Sequence, residues 1–175
     1  HAKAAGVGVV IESHGDFTRS DDLAEILTRV RSEAFALCWD AHHTFVSAGE
    51  APGDTWKRLG RWVRHVHLKD SVPEGGGRRY VLTGTGAVPV RDQVKVLADG
   101  GYDGFYGFEW EKKWHPEIED AEVAVGDKVS VGVFEPGDSV NVVNASFIPQ
   151  ELPEPMAAPE LWREPWVADL AKQAM

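Results

Sequence analysis

The sequence predicts an α/β fold with parallel strands, and three observations carry that prediction. Four short apolar runs are each followed by a loop and then a helix signal. Each run ends in a side chain able to bind a metal or move a proton: Glu12, Asp40, His67 and Glu109. These ends lie 28, 27 and 42 residues apart, the length of one β/α repeat twice and then of one repeat carrying a Gly-rich insertion.

In the first unit Gly6-Val7-Gly8-Val9-Val10-Ile11-Glu12 is a β-branched run, read as a strand buried on both faces. A polar loop, Ser13 to Thr18, leads to helix-start chemistry at Ser20-Asp21-Asp22. Leu23, Ile26, Leu27 and Val30 then recur at helical spacing. The second unit repeats the order: an apolar run from Ala34 to Trp39 closed by Asp40, a loop over Ala41 to Phe45, and a helix over Thr55–Leu59 announced by Pro52-Gly53-Asp54.

The third unit is a strand over Trp62–Leu68. His65 and His67 share one face of it, and Val66 and Leu68 share the other. Lys69 and Asp70 stand at its end, where they either meet a substrate or close the strand. Pro73 to Arg79 reads as a long flexible Gly/Arg loop. A helix over Gln93–Ala98 is stopped by Gly100-Gly101. The fourth strand, Gly104–Glu111, is aromatic and finishes in carboxylates.

Beyond about Val123 the pattern changes. Val125–Phe134 and Asp138–Val143 alternate at period two around Glu135-Pro136-Gly137, a hairpin signature. Pro149, Pro153, Pro155 and Pro159 mark an acidic, Pro-rich tail, and Pro165–Ala174 reads as a short terminal helix. Two parts result: 1–124, carrying the candidate site, and a divergent tail over 125–175.

Composition narrows the function. The chain of 175 residues, 43% hydrophobic, buries one sizeable core. Its 28 acidic against 18 basic residues give a formal charge of -10, which disfavours a nucleic-acid partner. One cysteine, Cys38, leaves no disulfide framework and fits a reducing compartment. No apolar run reaches the ~18 residues of a membrane span, so the expectation is a soluble cytoplasmic protein with no membrane partner. The abrupt start, His1-Ala2-Lys3 with no Met, reads as that of a fragment or a processed chain.

In a β/α barrel, strand ends converge on one mouth, so Glu12, Asp40, His67 and Glu109 would meet there. Three carboxylates and an imidazole are a hard, oxygen-rich set suited to Mn²⁺, Mg²⁺ or Co²⁺, with Zn²⁺ also accommodated.

Five stretches resemble one family in order. They are Ile11-Glu12-Ser13-His14, Trp39-Asp40-Ala41-His42-His43, His65-Val66-His67-Leu68-Lys69-Asp70, Gly84-Thr85-Gly86-Ala87-Val88-Pro89, and Gly101-Tyr102-Asp103-Gly104 with Phe108-Glu109-Trp110-Glu111. Over about residues 6 to 124 the chain resembles the second half of the xylose isomerase-like sugar phosphate isomerase/epimerase superfamily, a (β/α)8 TIM barrel. The resemblance implies a divalent metal on Glu12, Asp40, His67 and Glu109. It also implies a sugar or sugar-phosphate isomerase or epimerase working through a metal-stabilised enediolate, with Glu12 and Glu109 as acid and base. His43 matches a substrate-binding histidine. His65 stands behind the ligand and can touch a substrate hydroxyl, as can His14, and Trp110 stacks on a sugar or packs at the rim.

Two positions depart from the epimerase pattern: Thr18 stands where a Glu is expected and Pro73 where an Arg is, with Arg78 or Arg79 as substitutes from the Gly-rich loop. Isomerase and polyol dehydratase activities therefore stay open. A whole barrel needs ~250 residues, so four units make half of one, whose open edges favour a homo-oligomer. Competing expectations are a truncated, non-catalytic metal-binding half-barrel and an endonuclease IV-like phosphodiesterase, the latter disfavoured by the acidic charge and the missing ligands of a trinuclear site.

Overall fold

The computed structural model describes residues 1–126 and 142–146. A 3-10 turn at Lys3–Ala5 leads into β1 (Val9–Glu12), α1 (Ser20–Val30), β2 (Phe35–Asp40), α2 (Ala41–Val46) and α3 (Pro52–Leu59). A second 3-10 turn (Gly60–Trp62) precedes β3 (Val63–Leu68), and β4 (Asp70–Glu74) and β5 (Gly77–Val81) follow. The rest comprises α4 (Val90–Asp99), β6 (Tyr106–Glu109), α5 (Ala121–Gly126) and β7 (Val142–Ser146). The sheet runs β1-β2-β3-β6-β7 with every pairing parallel, so helices carry the chain back between strands as expected.

The helices cover one face of this sheet. Leu37 and Trp39 of β2, Val66 and Leu68 of β3, and Tyr106 of β6 join Leu23, Leu27, Leu59, Val94 and Leu97 in one buried cluster. Each large apolar side chain buried there contributes about 1.5–3 kcal/mol, so this face holds the sheet together. Side chains alternate along a strand, which places Cys38, Asp40, His65, His67, Gly107 and Glu109 together on the opposite face.

Four local expectations are corrected. Val9 and Val10 are 45% and 46% exposed, so β1 is not buried on both faces; among the described residues it pairs with β2 alone. The stretch after Asp40 is helix α2 rather than loop, because the Asp40 side chain accepts from the backbone N–H of His42 (2.9 Å) and of His43 (3.1 Å) and caps it. The Gly/Arg loop is the β4–β5 hairpin, turned by Gly75 and Gly76 with φ 56° and 82°. Two consecutive positive φ values are what a two-residue hairpin turn demands and what glycine supplies. Finally, Val125 lies within α5, so no strand begins there, and Val142 and Val143 belong to β7, parallel to β6. The rest of the expected hairpin, the Pro-rich segment and the terminal helix lie outside the described residues.

Gly84-Thr85-Gly86 is held by Asp70, which is 1% exposed. Its carboxylate accepts from the backbone N–H of Ser71 (2.8 Å), Gly84 (2.9 Å), Gly86 (2.8 Å) and Val88 (3.0 Å). A side chain at Gly86 would collide with that carboxylate. Asp70, the first residue of β4, therefore has a structural task and fixes the approach to α4.

Candidate metal centre

The face away from the helices gathers the strand-end residues. Asp40 and His67 are cross-strand partners, His67 is in turn paired with Gly107, and Glu12 and Glu109 end β1 and β6. One ligand atom each from Glu12, Asp40, His67 and Glu109 lies within 4.8 Å of all the others. His67 Nδ1 is 2.8 Å from Glu12 Oε1 and 3.8 Å from Glu109 Oε2.

Asp40 divides its two oxygens by task. Oδ1 caps α2, while Oδ2 is buried and makes no hydrogen bond. His43 Nε2, 3.5 Å from that oxygen, is likewise buried without a hydrogen-bond partner. Buried polar atoms are normally satisfied; His43 Nε2 is not, and Asp40 Oδ2 meets the Lys69 ammonium at 3.1 Å, so both keep capacity for a divalent ion held with substrate oxygens beside it. The donor set agrees, being hard and oxygen-rich.

Lys69 is the site residue whose place the sequence left open. It follows His65 and His67 at the same two-residue step, so it shares their face; that alternation was the available signal. At 2% exposure its Nζ sits 2.7 Å from Glu109 Oε2, 2.7 Å from Glu111 Oε1 and 3.1 Å from Asp40 Oδ2. Burial opposes its charge, but Asp40 and Glu109 outweigh it and raise the pKa above the ordinary lysine value.

The histidines divide by environment. Burial works against a charged His67, yet hydrogen bonds with Cys38 and Glu12 and the nearness of Glu109 raise its pKa to about 10. The same contact with His67 lowers Glu12. Burial first, and the Lys69 charge second, lower His43 to about 4 and His42 to about 3, so both rings are neutral. His42 Nε2 is 2.7 Å from Ser71 Oγ, which also accepts from Arg78 Nε at 2.6 Å.

The remaining expected residues fall in three places. His14 stacks edge-on to His43 with 4.5 Å between ring centroids, and so reaches the site. His65 lies two residues deeper on the same face, with burial and the His67 charge lowering its pKa. Trp110 is turned to the chain that follows, its indole N–H donating to the Glu119 carbonyl at 2.8 Å. Neither Arg78 nor Arg79 swings into the carboxylates: Arg78 holds Ser71 and Arg79 pairs with Glu74.

The sequence profile of the xylose isomerase-like TIM barrel family matches residues 1–126. The chain belongs to that family. It is 43% identical over 67 residues to the C-glycoside deglycosidase alpha subunit of Arthrobacter globiformis, a match covering 38% of this chain and 16% of that protein. Among solved structures it superposes on a xylose isomerase domain protein from Planctomyces limnophilus with TM-score 0.55 and 25% identity, covering 65% of this chain and 42% of that one. It also superposes on the probable 3-DHS dehydratase AsbF from Bacillus anthracis with TM-score 0.54 and 21% identity, covering 62% and 44%. The chain thus spans less than half the length of these relatives, and its parallel sheet matches part of the xylose isomerase-like barrel. Among the described residues no helix is long and apolar enough to cross a membrane.

Proposed function

We propose that the chain carries the metal-binding half of a sugar or sugar-phosphate isomerase or epimerase, with Glu12 and Glu109 as the proton-transferring pair. The observation that carries this reading is the meeting of four strand-end ligands, Glu12, Asp40, His67 and Glu109, within 4.8 Å. The xylose isomerase-like family includes sugar epimerases and dehydratases, which supports the substrate class.

A divalent ion bound there would neutralise negative charge developing on two neighbouring sugar oxygens. Glu12, an ionised carboxylate at the edge of the set, removes the proton from the hydroxyl-bearing carbon beside the carbonyl. Glu109, steadied by Lys69, serves the other side. His67 orients Glu12 through its Nδ1 contact, and neutral His43 offers its unpartnered Nε2 to a substrate hydroxyl, with His14 against it. His65 supports from below, and Trp110 borders the rim.

A polyol dehydratase is the second reading, favoured by a specific observation. Thr18 is buried at 7% exposure, Pro73 stands exposed in the hairpin, and both nearby arginines are engaged elsewhere, so the extra charged groups of an epimerase pocket are not assembled here. Proton removal beside a carbonyl serves elimination as well as epimerisation. The Asp40, His42 and His43 group could also hold an ion, but the charge of -10 still opposes a nucleic-acid substrate for a phosphodiesterase.

The test is solvent-proton exchange. The chain, with Mg²⁺ and a panel of ketohexoses in D₂O, is expected to exchange a carbon-bound proton next to the carbonyl, with the signal lost in Glu12→Gln and Glu109→Gln. Exchange that survives both substitutions would overturn the reading. A parallel Mn²⁺ calorimetric titration is expected to show binding weakened at least about tenfold in His67→Ala.

A further inference from the structure

Below the carboxylates, on the same face, lies a group of different chemistry whose cysteine the proposed reaction does not use. Cys38 on β2 and His65 on β3 are cross-strand partners, and His67, two residues on, shares their face. One ligand atom from each of the three lies within 4.8 Å of the other two. Cys38 is 3% exposed, and both imidazoles are partly buried. The rings of His65 and His67 meet edge to face at 5.1 Å between centroids. Gly107 on β6 leaves them room: a Cβ there would stand 3.2 Å from His65 Nε2 and from His67 Cδ2.

The neighbouring set uses His67 through Nδ1, which faces Glu12, so Nε2 is the ring's remaining ligand atom. Tetrahedral coordination with Zn–S near 2.3 Å and Zn–N near 2.0–2.1 Å puts ligand atoms roughly 3.4–3.6 Å apart. The three ligand atoms, within 4.8 Å of one another, draw closer to reach that spacing when an ion binds. Thiolate and imidazole select against Mg²⁺ and Mn²⁺, which the carboxylates prefer.

We infer that Cys38, His65 and His67 form a second metal site, selective for a thiophilic ion such as Zn²⁺, Co²⁺ or Cd²⁺, stacked beneath the carboxylate set and sharing His67 with it. Coordination takes the thiolate, so the Cys38 proton leaves to solvent, and when both sites are filled the bridging His67 ring binds as imidazolate, its remaining proton leaving to solvent as well. The shared ring couples the two sites: an ion below fixes the orientation of the imidazole above. Solvent or substrate oxygen completes the fourth position from the open side of the sheet.

The experiment titrates the full chain with Co²⁺ under saturating Mg²⁺, following the thiolate-to-cobalt charge-transfer band in the near ultraviolet. The band is expected in the wild type and in Glu109→Gln, lost in Cys38→Ser, and its midpoint raised at least about tenfold in His65→Ala. His65→Gln, which keeps a polar side chain of similar length, is expected to behave as His65→Ala does, and circular dichroism identifies any variant that has failed to fold. Absence of the band in the wild type, or a midpoint unmoved in folded His65→Ala and His65→Gln, overturns the inference. Because Glu109→Gln disables the proposed reaction and spares this band, the two readings fail separately.

Discussion

Lys69 sets the electrostatics of the site. A full charge at 2% exposure is tolerated because Asp40, Glu109 and Glu111 surround it, and those carboxylates depend on it in turn. Removing one member of a buried ion pair strands the other, at a cost of about 3–5 kcal/mol. Lys69→Met is therefore expected to lower stability in urea by an amount of that order, with part of the loss recovered by saturating Mn²⁺, which restores positive charge among the same oxygens. An unchanged urea midpoint would show that water already screens the carboxylates. Asp40 illustrates the same economy on a smaller scale, since one oxygen holds a helix and the other faces the site.

The elements were legible in proportion to how local their causes are. The four strands, α1, α3 and α4 follow from apolar periodicity and helix-start residues, and all four proposed ligands come from strand ends that the periodicity marks. What was not legible needed a partner distant in sequence. Helix α2 exists because Asp40 turns back to cap it, and the hairpin because two glycines take positive φ while Arg78 reaches Ser71. The burial of Lys69 depends on Glu109, 40 residues later. Asp70 shows what such distant partners achieve. Oδ1 accepts from Ser71 and Val88, and Oδ2 from Gly84 and Gly86, so an amide in its place must aim N–H at N–H on one side. Hydrogen bonds to a charged group are worth about 1.5–3 kcal/mol each. Asp70→Asn is accordingly expected to cost about 2–3 kcal/mol in urea denaturation, and a neutral outcome would mean that the 84–88 turn stands without its clamp.

At the scale of the whole molecule, buried neutral histidines make the fold sensitive to acid. His42 and His43 have folded pKa values of about 3 and 4, against 6.5 for an unperturbed ring. Between those limits the unfolded chain binds more protons than the folded one, so what these two rings contribute is complete above about pH 6.5 and falls as the pH drops towards 3, while His67, raised to about 10, contributes fully below pH 6.5 and loses its share as the pH rises towards 10. Glu12, lowered by His67, adds a loss of the same sign below its ordinary value. The thermal midpoint should fall over this window, and more gently in His42→Gln; a flat profile between pH 6.5 and 4 would contradict the assignment. The parallel sheet has a kinetic consequence of its own. Its first pairings join residues 26 (9 to 35), 26 (37 to 63) and 40 (66 to 106) positions apart, and none can zip outward from a tight turn. Loops of that size must close before any cross-strand contact compensates. The four carboxylate-set ligands, each on a different strand, come together only once that closure is nearly complete. An ion held by them would therefore act as a latch on the finished sheet, slowing its opening without hastening its assembly.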